Sequence, residues 1–145
     1  MKSRLAIVIL LFVSWGFLAG AGLYSTRSHG TKIVSKTTNY TLKEKECGRY
    51  GLKYIFNNDG ASGTVTLTLV AATVNSDGEG LAVHFSVVDA YTLNINPNGT
   101  DQILYLTDSA GDSIEANSAG SFVTLVCEAD GYWTPKGRLG FSDAD

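Results

Sequence analysis

The chain is poor in the residue types that carry chemistry. It has two histidines, His29 and His84, and neither has a second histidine near it in sequence to help hold a metal. Its two cysteines, Cys47 and Cys127, stand far apart and form neither a metal-ligand spacing nor a CxxC pair. No serine sits in a GxSxG elbow, and no glycine-rich loop opens a helix to cradle phosphate. The acidic residues fall in loops: Asp77 and Glu79, Asp108 and Asp112, Glu128 and Asp130, Asp143 and Asp145. Beside glycine they read as turn formers. They lack the twelve-residue spacing of a calcium loop, and nothing in the sequence sets two of them across a cleft as a glycosidase acid and base. The expectation is therefore a protein with no catalytic residues, no metal and no cofactor, with a glycan hydrolase as the enzyme alternative.

Basic charge is also scarce. The chain carries 11 Lys and Arg against 14 Asp and Glu. Lys2 and Arg4 precede an uncharged run from Leu5 to Tyr24, and Ala19-Gly20-Ala21 is a small-x-small site. That is the layout of a cleaved secretory signal covering residues 1–21. The run is also about the ~20 residues needed to span a bilayer, so an uncleaved anchor at residues 5–24 is the rival reading. Either way the protein is expected to be exported, as a secreted or cell-surface protein. Without residues 1–21 it has 9 basic and 14 acidic groups, a net −5, which disfavours nucleic acid and anionic membrane as partners.

Helical periodicity is missing after the apolar segment. Period-two alternation takes its place. Val65, Leu67 and Leu69 alternate with Thr64, Thr66 and Thr68, and Leu81, Val83, Phe85 and Val87 alternate with smaller or polar residues. Tyr91, Leu93 and Ile95 continue the pattern, as do Tyr50, Leu52, Tyr54 and Phe56 earlier and Val123, Leu125 and Cys127 later. Turns punctuate the strands at residues 57–63, at Asn96-Pro97-Asn98-Gly99, at 108–112, at 117–120 and at 128–131. Many short strands with such turns imply an all-β fold, expected as a single jelly-roll-like β-sandwich over residues 37–145 behind a polar stem at 22–36. No internal repeat is evident, so a solenoid is not expected. In an oxidising compartment Cys47 and Cys127 form one disulfide or, alternatively, remain two separate small buried hydrophobes.

Two features point to partners. Tyr132 and Trp133 follow a turn, where aromatic side chains serve as interface anchors or sugar platforms; the alternative is that Trp133 plugs the core. Ile33 and Val34 in the stem are candidate anchors for a strand donated to the edge of a neighbour's sheet.

The order of segments resembles a β-rich domain of bacteriophage tail-fibre, tail-spike and related virion or surface structural proteins. The residues that carry the likeness are TTNYTL (37–42), Cys47-Gly48, FNNDGASGTVTLTL (56–69), GLAVHFSV (80–87), YTLNINPNGTDQI (91–103), SAGDSI (109–114) and GSFVTLVCEADGYW (120–133). The resemblance implies a scaffold module, often self-associating, and it brings no catalytic residues. Together these readings lead to an exported structural or adhesive surface protein, a self-associating fibre or coat subunit. The alternative is a module that binds carbohydrate, a surface polymer or another ligand.

Overall fold

A computed structural model describes residues 30–49 and 51–144. The apolar segment at 5–24, the small-x-small site and His29 lie outside the described residues. Among those described, no helix is long and apolar enough to cross a membrane.

Eleven strands form two sheets: β1 Lys32–Ser35, β2 Tyr40–Thr41, β3 Tyr54–Asn57, β4 Val65–Thr68, β5 Ala82–Ser86, β6 Leu93–Asn96, β7 Gln102–Ile103, β8 Ile114–Ala116, β9 Phe122–Ala129, β10 Tyr132–Leu139 and β11 Ser142–Asp143. Among the described residues a single 3-10 turn, Glu44–Glu46, follows β2. The first sheet has the order β1-β3-β5-β9-β10-β7 and the second β11-β8-β6-β4-β2. The chain is all-β, as its alternation implies.

The topology is not a jelly roll. From β1 to β9 the chain alternates between the two sheets, so β1 pairs with β3, β2 with β4, β3 with β5, β4 with β6 and β6 with β8, each with the strand two positions on rather than the next one. β1, β3 and β5 run parallel, and so do β2, β4 and β6. The chain therefore winds in a solenoid-like path, and this corrects two expectations: the jelly-roll sandwich and the exclusion of a solenoid. A parallel pair needs a crossover, and here the opposite sheet supplies it. The winding then reverses. β8 and β9 run antiparallel to β6 and β5, β10 returns against β9 in a hairpin, and β11 closes on β8. β7 lies beyond β10, parallel to it.

The stacking explains why no repeat is visible. Val34, Phe56 and Phe85 form one inward ladder, 22 and 29 residues apart. Tyr40, Leu67 and Ile95 form another, 27 and 28 residues apart. Each position needs only an apolar side chain facing in, and the loops vary in length.

The core lies between the sheets as one cluster. Val65, Leu67 and Leu69, Val83 and Phe85, Leu93 and Ile95, and Val123 and Leu125 are all fully buried, on the faces that the alternation assigns. Each contributes roughly 1.5–3 kcal/mol by leaving water. Tyr91, by contrast, is exposed. Phe56 packs on Tyr54, two residues before it on β3, and against Phe85 across the ladder, with ring centroids about 6 Å apart.

Three placements bear on the site. The stretch read as the end of a polar stem supplies β1, with Ile33 beside Ile55 and Val34 beside Phe56 of their own chain. Gly80 passes so close to β9 that a Cβ there would overlap the carbonyl oxygen of Cys127. Pro135 sits at the register shift between β10 and β9, where a bulge tolerates its missing N–H.

Candidate functional site

The polar side chains that looked available in sequence are largely engaged in holding the winding together. Asn58 is the clearest case. It is fully buried at the corner after β3. Its Nδ2 donates to the carbonyls of Asp89 (3.1 Å) and Tyr91 (2.9 Å), and its Oδ1 accepts from the N–H groups of Val88 (2.8 Å) and Asp89 (3.1 Å). The Asp89 carboxylate returns the connection by accepting from the Gly60 N–H at 2.6 Å. One corner of the winding is thus riveted to the corner one turn on.

Two loop aspartates act in the same way. Asp101 accepts from the Ala72 N–H at 2.7 Å, and Asp130 accepts from the Val74 N–H at 2.9 Å. Gly131 N–H donates to Ala72 O, and Gln102 N–H donates to Gly131 O. The segment 71–74 is tied by these bonds to β7 and to the β9–β10 hairpin. The NPNGTDQI segment therefore owes its Asp101 to loop closure.

Asp108, Asp112 and Asp143 bring one carboxylate oxygen each within 4.8 Å of one another. The sequence showed the first two as a loop pair but not the third, because β11 brings Asp143 back from 31 residues downstream. Asp143 accepts from the Ala144 and Asp108 N–H groups, and Asp112 accepts from the Ser109 N–H. Asp112 is held above the usual carboxylate range by desolvation, by its hydrogen bond with Asp108 and by that residue's charge. These contacts account for the cluster as a closure of the last loop.

A cleft of about 880 Å³ opens beside the first turn of the winding, lined among others by Glu44, Lys45, Cys47, Arg49, Lys53 and Leu81. Arg49 spans it, with Nη2 on Glu44 at 2.7 Å and Nη1 on Glu79 O at 3.0 Å. The Cys47 thiol is pushed up to about 12, mainly by burial and further by the charges of Glu46 and Glu44. It is no nucleophile at neutral pH, since the thiolate is the reactive form.

Cys47 and Cys127 are both buried free thiols, which corrects the disulfide expectation in favour of its alternative. The reason is geometric. Gly48 bridges Ala82 on one edge of β5, and Ala82 pairs with Val126 on the other. One strand lies between the two cysteines, so roughly 10 Å of sheet separates them. A disulfide needs Cα atoms within about 7 Å.

Trp133 is fully buried opposite Cys127, so it plugs the core and offers no face to a ligand. Its indole Nε1 has no hydrogen-bond partner there. Tyr132 next to it is exposed. Tyr105, which the sequence did not single out, is 82% exposed and holds a φ of 63°. The turn that imposes this conformation folds over the edge of β7, where Ile103 O accepts from both the N–H and the hydroxyl of Thr107. His84 lies on the outer face of the first sheet. Its Nδ1 is 2.8 Å from Thr124 Oγ1 and its ring stacks on Phe122.

The two ends of the winding differ. Lys32 N–H donates to Lys53 O and Lys36 N–H to Asn57 O, so the backbone groups of Ile33 and Ser35 point to the free side of β1. Among the described residues nothing pairs with that side, or with the outer side of β2. At the other end, Ile103 O is taken by Thr107, and Asp143 O by the hydroxyl of Ser142. Comparison of the chain with protein-family models and with curated protein sequences returns no match.

Proposed function

We propose that this chain is a structural module of an exported or cell-surface assembly, without enzymatic activity, that works by associating with copies of itself. One observation carries the reading: the two-sheet winding ends at β1 and β2 with backbone hydrogen-bonding groups free, among the described residues, on its outer edge. Open edges recruit further chain. The engagement of Asn58, Asp89, Asp101 and Asp130 in closing the winding supports a scaffold role, because these residues hold backbone and not a ligand. The likeness to tail-fibre and related surface domains fits such a module, as does the apolar segment with its small-x-small site as an export signal or anchor.

The ligand-binding alternative is left with Tyr132, since Trp133 lies in the core. The test is the solution mass of the full-length gene product, purified as cells process it, by light scattering. A particle several times the 15.4 kDa chain supports the reading. A monomer at every accessible concentration refutes it.

A further inference from the structure

Charge is segregated along the winding. Residues 30–53, the first turn, carry six Lys and Arg against two Glu, a net +4. Residues 54–100 carry four acidic residues and no basic one. Residues 101–144 carry seven acidic residues against two basic, a net −5. Of those two, Lys136 pairs with Glu128, and Arg138 donates to Phe141 O. In the first turn Lys32, Lys43, Lys45 and Lys53 are exposed and have no carboxylate partner among the described residues. At the opposite end the β7–β8 loop and β11 present Asp108, Asp112 and Asp143.

Strand direction matches this polarity. β10 is antiparallel to β9, which is antiparallel to β5, so β7, parallel to β10, runs the same way as β1. In the second sheet β11 runs the same way as β2 by the same count through β8 and β6. Moving a second copy along the winding therefore sets β1 beside β7 and β2 beside β11, each in parallel orientation, and sets the +4 end against the −5 end.

The competing contact is a two-fold pairing of β1 with β1. Centred on Val34, it would place the free backbone of Ile33 opposite Ser35 of the second copy, and so Lys32 opposite Lys36 of that copy, twice. Like charges directly opposite across a strand pair are destabilising, and flanking lysines are a known guard against such pairing.

We propose that copies of this chain stack head to tail, the basic β1–β2 end of one against the acidic β7–β11 end of the next. The inference rests on the self-association reading above and adds the faces and the polarity. Because the contact is heterologous and displaces each copy along the winding rather than around a closed ring, it repeats and builds a filament. Because the far edge has its carbonyls covered, the junction is made mainly by lysine ammonium and carboxylate groups, and it is sensitive to salt.

The test uses the full-length gene product and two double variants, Lys32→Glu with Lys43→Glu, and Asp108→Lys with Asp112→Lys, each checked for a native circular dichroism spectrum. Light scattering at about 0.05 M and about 0.5 M salt reads the mass. The expected result is an open-ended mass distribution for the wild type at low salt, with association weakened at least about tenfold at high salt. Each double variant alone associates far more weakly, because the near end falls from +4 to 0 in the first and the far end from −5 to −1 in the second, and an equal mixture associates again, because the unaltered acidic end of the first meets the unaltered basic end of the second. If the lysine replacements of aspartate disturb the fold, Asp108→Asn with Asp112→Asn must still weaken association. Oligomers that ignore salt and both reversals overturn this inference and leave self-association standing through another face. Oligomers lost in the lysine variant but not in the aspartate variants also overturn it. A wild-type monomer in all conditions overturns both readings.

Discussion

Replacing Asn58 with alanine should unfold the protein more readily than any change of similar size on its surface. The side chain makes four hydrogen bonds in a fully buried corner, two as donor and two as acceptor. A hydrogen bond contributes about 0.5–1.5 kcal/mol net, and a buried group left unpaired costs about 1–3 kcal/mol. Alanine strands the Asp89 and Tyr91 carbonyls and the Val88 and Asp89 N–H groups together. Water entering the corner recovers part of the loss, so about 3–4 kcal/mol is expected. With a urea m-value of about 1.5–2 kcal/mol/M, the midpoint falls by about 2 M. Urea unfolding followed by tryptophan fluorescence is suited to the measurement, because Trp133 sits in the core between the sheets. Asn58→Asp should be no better at neutral pH, since a carboxylate faces two carbonyls and loses both donors. A midpoint within about 0.5 M of wild type for Asn58→Ala would refute the claim that this corner joins successive turns.

Three further outcomes follow from individual environments. Tyr105→Gly should stabilise the protein by about 1 kcal/mol, seen as a higher urea midpoint, because the left-handed φ is costly for tyrosine and the exposed ring has little packing to lose; a loss of stability would mean that the ring packs. Cys47 and Cys127, both pushed up by burial, should react with iodoacetamide at pH 8 only when the protein is unfolded, when thiol titration should count two; a count of zero without reductant would mean that they are bonded. His84 is held below its ordinary value by burial. Its folded pKa is therefore below its unfolded one, so its contribution to stability is complete above about pH 6.5 and is lost as pH falls from there through the folded value. His84→Gln should flatten that part of the profile, and an unchanged profile would place the titration elsewhere.

The sequence reveals faces but not neighbours. Alternation at Val65, Leu67 and Leu69, and again at Val83 and Phe85, states which side chains enter the core, and all five are fully buried. The turn residues between the strands are equally legible because glycine, proline and asparagine act locally. Strand direction is different. A half-buried strand has the same period of two whether its neighbour is parallel or antiparallel, and the ladder from Val34 through Phe56 to Phe85 asks only for apolar residues at uneven intervals. The four residues of β1 lie in a polar stretch and give almost no signal alone; they become a strand because β3 offers its edge. Asn58 looks like any turn asparagine, and its role depends on Asp89 and Tyr91, some thirty residues away. The acidic cluster shows the same limit: Asp108 and Asp112 are close in sequence, and Asp143 joins them only through the pairing of β11 with β8.

A winding built from parallel strands has two ends that cannot be equivalent, and this protein treats them differently. At the far end it turns the chain around through β8, β9 and β10, keeps the edge strands β7 and β11 to two residues, and covers their outward carbonyls with Thr107 and Ser142. Short, covered edges are how sheets avoid recruiting other chains. At the near end it keeps a four-residue β1 with its outer backbone groups free among the described residues, and rings it with lysine. The lysines oppose pairing of this edge with its own copy while favouring an acidic surface, and the acidic surface lies at the other end of the same chain. If the near edge served only to be hidden, its charge would be expected to resemble that of residues 54–144, which carry eleven acidic and two basic groups. The concentration of positive charge on that one turn is what gives the open edge a direction, and reversing it at Lys32 and Lys43 is the change that separates a polar stacking end from an edge that merely happens to be exposed.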